Sequence, residues 1–267
     1  MSIKNLEADP ATKEVLRYRE AVLYGYRFIQ SKGYLNTTAI VKTQKVLEQN
    51  NAGIRKLPGT ALRNASTGKV IYTPPDNHDT ILKLMKNLED YLNLEDDISP
   101  LIKMAIQHYQ FESIHPFYDG NGRTGRIINV LYLILQGMLD SPILYLSEYI
   151  IASKGDYYRL LQEVRTRGNW DGWILFILEG VEETANQAIK QISGINKLFL
   201  KTLEKLKASG NKQYNKELLE LLFEQPYCKI DYLVDRLGIS RITASKYLKD
   251  LEGFGILESK KVWKETL

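Results

Sequence analysis

"SIHPFYDGNGRTGRIINVLYLILQG", residues 113–137, decides between two folds. Gly120, Gly122 and Gly125 fit the G-x-G-x-x-G spacing of a dinucleotide-binding loop, which needs a strand entering the loop and a helix leaving it. The exit fits and the entrance does not. Ahead of the loop, "IKMAIQHYQFESI" has the three- and four-residue spacing of a helix, and Pro116 with Phe117 ends it. Asp140 falls twenty residues past Gly120, where a ribose-binding acid would be sought, but one acid in an acid-rich chain decides nothing. The stretch therefore reads as helix, loop, helix.

The rest of the chain agrees with a helical fold. At 267 residues, 44% hydrophobic and 25% charged, it has the composition of a soluble globular protein with one large and one small domain. A net charge of +4 does not demand nucleic acid or an anionic membrane as partner. The single Cys228 excludes an internal disulfide and a cysteine metal cluster. That points to a reducing compartment. The N-terminus lacks the apolar core of a secretory signal, and the most apolar run, 127–139, contains Asn129 and Gln136 and is too short to span a bilayer. A cytoplasmic location without membrane association is expected.

Amphipathic spacing predicts helices over 13–30, over "NTTAIVKTQKVLEQNNAG" with Asn36 or Thr37 as cap and Asn51 or Gly53 as stop, and over "DTILKLMKNLEDYLN". Another opens with Ser99 as cap and Pro100 at its first position. Between Leu57 and Pro75 the pattern changes to a short β-prone run, Lys69–Thr73, one arm of a hairpin turning at Ser66-Thr67-Gly68. After the loop, "SKGDYYRLLQEVRTRG" and the long "WDGWILFILEGVEETANQAIKQISGINKLFLKTLEKLKASG" read as helices, with Gly210-Asn211 as the domain boundary. Three short helices and the stretch "ILESKKVW" then give a winged helix-turn-helix pattern.

Between the glycines stand the residues with chemistry. His115, Asp119, Asn121, Arg123 and Arg126 lie within twelve positions at the helix–loop–helix junction. Free amides at a helix start, its positive dipole end and two guanidiniums form a site for a polyphosphate. Gly120 and Gly122 would allow positive φ and bring amides close to phosphate oxygens. Arg123 and Arg126, three apart, could clamp different phosphates, and cations there oppose the helix dipole unless an anion sits between them. Asp119 suits Mg²⁺, which takes one or two carboxylates plus substrate oxygens. His115 suits proton abstraction near neutral pH. The competing reading is a capping loop in which Asp119 and Asn121 bond to backbone and the arginines make surface pairs.

"HPFYDGNGRTGR" resembles the Fic signature H-P-F-x-D-G-N-G-R-x-x-R at every specified position, and the resemblance extends from Lys13 to Leu178 through the flap ending in Pro74-Pro75 and through "GDYYRLL". It implies an all-α Fic-type bundle with a small β-hairpin flap over 66–75 and a motif core over 100–178. The Fic domain would occupy 1–200 and a winged helix-turn-helix domain 211–267. It implies transfer of AMP from ATP to a Ser, Thr or Tyr hydroxyl of a target protein, with His115 as general base and Asp119 holding Mg²⁺. Asn121 with the amides of Gly120 and Gly122 would form the anion hole, within a cradle completed by Thr124 and Gly125. Arg123 would hold the β-phosphate and Arg126 the γ-phosphate. Tyr157 and Tyr158 match adenine-pocket positions, with two half-buried packing aromatics as the alternative. Phe117 reads as a core anchor. The target would add a strand to the flap at 69–75.

One departure stands out: the inhibitory pattern Ser/Thr-x-x-x-Glu-Gly/Asn of many Fic proteins has no match here. A missing inhibitory segment or a separate inhibitory protein is expected to explain it. A homodimer is also compatible with the resemblance. Arg241, Lys246, Lys249, Lys260 and Lys261 could meet DNA phosphates. Ten basic against nine acidic residues in 211–267 make no strong electrostatic footprint. Phosphotransfer, transfer of another nucleotide, AMP removal and a DNA-binding regulator are the rival functions. Gly122-Arg123, in place of a lysine-bearing version, argues against phosphotransfer.

Overall fold

An asparagine opens each of two early helices, and its side chain does the capping. In the computed structural model, which describes residues 10–63, 67–208, 216–225, 227–262 and 265–266, α1 spans Pro10–Lys32 and α2 spans Thr37–Glu48. Asn36 Oδ1 accepts from the Ala39 amide at 2.8 Å, satisfying an otherwise orphaned donor of α2. The hairpin follows as β1 (Leu62–Arg63) and β2 (Val70–Tyr72), antiparallel with Leu62 opposite Tyr72 and a register irregularity beside it. Gly68 is left-handed at the turn, and Ser66 lies outside the described residues. Next come α3 (His78–Leu92), capped by Asn77, then α4 (Pro100–Ile114) and α5 (Asn121–Leu135).

Expectation and structure differ at one helix end, one cap and one additional helix, each for a local reason. Helix α2 stops at Glu48, because Gln49 turns left-handed (φ 54°) ahead of the anticipated Asn51 or Gly53. Ser99 caps no amide of α4 with its side chain, while Pro100 does occupy the first turn, where its missing N–H costs nothing. A six-residue helix, α6 (Ser147–Ala152), is too short to show a periodicity and was not expected.

Helices α1, α2 and α4 pack against α5, which is buried along most of its length, α1 packs on α2, and α3 packs against α4 and α2. Gly25 of α1 meets α5 so closely that a Cβ would lie 2.4 Å from Leu131 Cδ1. The core closes over α7 (Lys154–Arg167) and the first turns of α8 (Trp170–Ala208). There Trp173, fully buried, donates from Nε1 to the Ala105 carbonyl of α4 at 2.8 Å. Among the described residues no helix is long and apolar enough to cross a membrane.

The described residues divide into two compact units between Ala188 and Ile189; the anticipated boundary at Gly210-Asn211 lies outside the described residues. In the second unit α9 (Lys216–Phe223), α10 (Ile230–Leu237) and α11 (Arg241–Gly253) enclose Leu218, Leu219, Leu233 and Leu251. Gly238 is left-handed after α10, and Ser240 caps α11 by accepting from the Thr243 amide. Strands β3 (Lys261–Val262) and β4 (Glu265–Thr266) pair antiparallel, the first at the end of the stretch 256–263 expected to form the wing and the second beyond it. Trp173→Ala is expected to cost about 3–5 kcal/mol in urea unfolding, chiefly from the lost ring volume. A loss under about 1 kcal/mol would contradict the packing just described.

Candidate active site

The site is built on a reversal of the chain between α4 and α5. His115 is the C-cap of α4 in the left-handed region (φ 48°), its amide bonded to the Phe111 carbonyl at 3.0 Å. Gly120 is the N-cap of α5, also left-handed (φ 79°). Asn121 clasps the turn: its Oδ1 accepts from the Phe117 amide at 2.9 Å and its Nδ2 donates to the Phe117 carbonyl at 2.8 Å. Phe117 is fully buried, as its role of core anchor requires. The first amides of α5 have no carbonyl four residues back to bond, which leaves the positive end of the helix for a ligand.

The glycines serve different purposes. Gly120 needs its positive φ, and a Cβ there would also meet Glu48 Oε1 at 2.3 Å. Gly122 does not take positive φ as anticipated; it lies inside the first turn of α5, where a Cβ would come 3.3 Å from Arg126 Nη1. Gly125 permits the crossing of α5 on α4, since a Cβ would lie 2.6 Å from Glu112 Oε1 and 3.0 Å from the Phe111 ring. Thr124 beside it is fully buried, its hydroxyl without a hydrogen-bond partner.

The charged side chains point different ways. Asp119 is 76% exposed; its Oδ1 accepts from the Gly120 amide at 2.6 Å and stands 3.6 Å from Arg123 Nη2. Arg123 is held by two further carboxylates, hydrogen-bonded to Glu14 Oε1 at 2.7 Å and ion-paired with Glu48 Oε1 at 2.9 Å. Arg126 instead donates from Nε to Ser147 Oγ of α6 at 2.8 Å. Burial raises the Glu48 carboxyl above its usual range, and the Arg123 charge opposes that rise.

Burial pushes the His115 ring down to about 4, the Arg55 and Arg165 cations acting in the same direction and the Glu112 carbonyl against it. Its Nδ1 is enclosed without a hydrogen-bond partner. Beneath the loop Glu112 is pushed up to about 7 by burial, with Arg126 and Arg165 opposing. Tyr157 is a core aromatic, 4% exposed, with its hydroxyl against His108 Nε2 at 3.0 Å. Tyr158, 46% exposed and edge-on to Tyr157 at 5.3 Å, is the one with a face open to a ligand. Sequence reasoning missed Glu14, Glu48, Glu112 and Ser147; an exposed-looking glutamate on an amphipathic helix carries no signal of the arginine it will meet.

An all-α bundle with a short hairpin beside a glycine-bearing helix–loop–helix is the Fic-type fold. Residues 34–133 match the Fic/DOC family, and residues 198–267 match the C-terminal domain of the SoFic-like protein adenylyltransferases. It is 28% identical over 199 residues to a probable protein adenylyltransferase of Aquifex aeolicus, an alignment covering 68% of this chain and 59% of that one. It is 31% identical over 115 residues to the protein adenylyltransferase Fic of Drosophila willistoni, covering 42% of this chain and 22% of that one. The alignments thus span less than two thirds of either relative. Among solved structures, a Fic family protein from Desulfovibrio desulfuricans superposes with a TM-score of 0.59 at 21% identity, covering 98% of this chain and 75% of that one. Fic-1 from Caenorhabditis elegans gives 0.53 at 20% identity, covering 73% and 55%.

Two outcomes test this geometry. Glu48→Gln should tighten ATP binding by up to about fivefold in calorimetric titration, because phosphate no longer competes with an ion pair worth up to ~1 kcal/mol; weaker binding would mean that Glu48 does not compete. The His115 ring resonance, assigned by its loss in His115→Asn, should hold its neutral shift as pH falls through 6.5 and titrate near 4. Titration at the ordinary histidine value would contradict its burial.

Proposed function

We propose that the chain is a protein adenylyltransferase that transfers AMP from ATP to a Ser, Thr or Tyr hydroxyl of a target protein, releasing pyrophosphate. The observation that carries this reading is the placement, on one short turn, of a neutral histidine and a helix N-terminus flanked by two guanidiniums. The names of the relatives support it.

The donor set fits a magnesium nucleotide. Among the described residues no cluster of three or more metal-ligating side chains exists. A magnesium ion would therefore rest on the exposed Asp119 carboxylate and on substrate oxygens, in keeping with its preference for few protein ligands. When bound it would neutralise phosphate charge. The α5 amides and Arg123 would take the inner phosphates once Arg123 leaves Glu14 and Glu48, and Arg126 would take the γ-phosphate on release from Ser147. Asn121 shapes this anion hole through its clasp on Phe117, with Gly120, Gly122, Thr124 and Gly125 completing the cradle.

The target hydroxyl gives its proton to His115 as its oxygen bonds to the α-phosphorus. The bond from that phosphorus to the bridging oxygen breaks, and pyrophosphate leaves with the electron pair. A pKa near 4 keeps the ring unprotonated at neutral pH but makes it a weak base. Most of the rate must then come from positioning and from phosphate charge neutralisation. Tyr158 offers a face to adenine, with Tyr157 packed behind it. Val70 and Ile71 of the flap, both partly exposed, suit strand addition by the target at 69–75.

Further parts of this reading are a Fic domain over 1–200, a winged helix-turn-helix domain over 211–267, a cytoplasmic setting and restraint by a separate inhibitory protein or segment. A homodimer fits the reading without carrying it. DNA contact is left out of it, because Arg241 at the start of α11 is ion-paired with Asp231 and the C-terminal charges nearly cancel. The Lys261 side chain lies outside the described residues.

The test uses the full chain with ATP, Mg²⁺ and a lysate. Wild type should label a protein band, while His115→Ala should label at least about 100-fold more slowly with ATP affinity unchanged. Equal labelling by both proteins would rule out His115 as the base.

A further inference from the structure

One buried cation outside the loop touches both ends of the reaction. Arg55 has no exposed surface, and among the described residues no carboxylate lies within ion-pair distance of it. A charge in that position is normally paired, because removing it from water costs several kcal/mol. Its partners here are main-chain carbonyls. Nε donates to the His115 carbonyl at 2.8 Å, and Nη2 donates to the Pro75 carbonyl and, at 3.4 Å, to Ile114.

The backbone of Arg55 is tied into the same place. Its amide donates to the Pro116 carbonyl at 2.9 Å, and its carbonyl contacts His78 Nδ1 at 2.9 Å, at the start of α3. Three consecutive carbonyls, Ile114, His115 and Pro116, therefore meet one residue. The first two close the C-terminal end of α4, where carbonyls lack helical partners and a cation is favoured by the dipole. Pro75 lies three residues beyond Tyr72, the last residue of flap strand β2. Tyr72 itself donates from its hydroxyl to the Ser113 carbonyl at 2.8 Å, and Arg165 stacks on its ring at 3.6 Å.

We propose that Arg55 is a positioning residue for the transfer reaction: its guanidinium fixes the left-handed cap that carries His115 at a set distance from the flap that presents the target strand. This rests on the proposed function above. Strand addition fixes a target only relative to the flap, and the base must be placed relative to that same hydroxyl. A 1 Å misplacement of reacting groups can cost about 100-fold in rate. Arg55 bonds directly to both parts, at the main chain of each, so it holds this distance whatever the target's side chains are. Nucleotide binding uses the other end of the loop, at α5, and should not depend on it.

The experiment compares wild type with Arg55→Gln and Arg55→Lys by labelling with ATP and Mg²⁺, by ATP titration and by amide hydrogen exchange. Arg55→Gln should transfer about 100-fold more slowly, with ATP affinity within about twofold of wild type and the acid limb of the pH–rate profile moved up toward the ordinary histidine value near 6.5. Arg55→Lys keeps the charge but not the fork; it should recover part of the rate and hold the limb in place. In both variants, exchange should rise together in the flap and the α4–α5 turn while α8 keeps its protection. A rate loss matched by equal loss of ATP affinity, or no rate loss in a folded Arg55→Gln, would overturn the proposal. If Arg55→Gln does not fold, Arg55→Lys decides by the same criteria. If the wild-type chain transfers nothing, the proposed function fails, and the exchange data still judge the coupling: flap and turn loosening independently would overturn it.

Discussion

Joining α4 to α5 through the short turn His115–Gly120 is the constraint on which the rest of the site depends. Both helices are buried, so the chain must reverse without leaving the core, and it does so with a left-handed residue at each end of the turn. One of those is histidine, which gains no benefit from that conformation for itself. Left-handed backbone at a non-glycine residue persists only when its surroundings impose it. Here Asn121 grips the middle of the turn and Arg55 grips its first carbonyls. The result aims the His115 ring and the free amides of α5 from one short segment.

The charges around that turn explain how such a cradle exists without its ligand. Two arginines at a helix N-terminus oppose the dipole and each other. Arg123 is therefore met by Glu14, Glu48 and Asp119, and Arg126 by Ser147. These contacts are weaker than a polyphosphate would make, since Glu14 and Asp119 are largely exposed. In the proposed function the carboxylates stand in for an anion and yield to one. Of these carboxylates, Asp119 is the one the proposed function uses again, as the ligand of an accompanying cation.

Much of this was legible in the sequence, and the reason is local. The spacing ahead of the loop excluded a strand, so helix–loop–helix and a mainly helical chain followed from periodicity, while the bundle followed from the resemblance of the motif. His115, Asp119, Asn121, Arg123 and Arg126 were legible because chemically complementary residues crowded one short segment. What stayed hidden is long-range. Glu48 meets Arg123 across 75 positions, and Arg55 meets His115 across 60. Neither has a neighbour in sequence that hints at its partner. The purpose of Gly122 was misread for a related reason: positive φ belongs to the residue before the helix, and a spacing rule cannot tell whether the helix starts one residue earlier. The surface exposure of Tyr158 and the burial of Tyr157 likewise depend on α8 and Trp173, which packs 5.5 Å from the Tyr157 ring.

Which phosphorus of ATP is attacked tests the proposed roles of the turn most directly. Supplied with Mg²⁺ and ATP labelled at either the α- or the γ-phosphorus, the chain should place label on protein from the α-labelled nucleotide alone, with pyrophosphate as the second product. Label arriving from the γ-phosphorus would show that the cradle binds the nucleotide in the opposite sense, and would contradict the roles given to His115, Arg123 and Arg126.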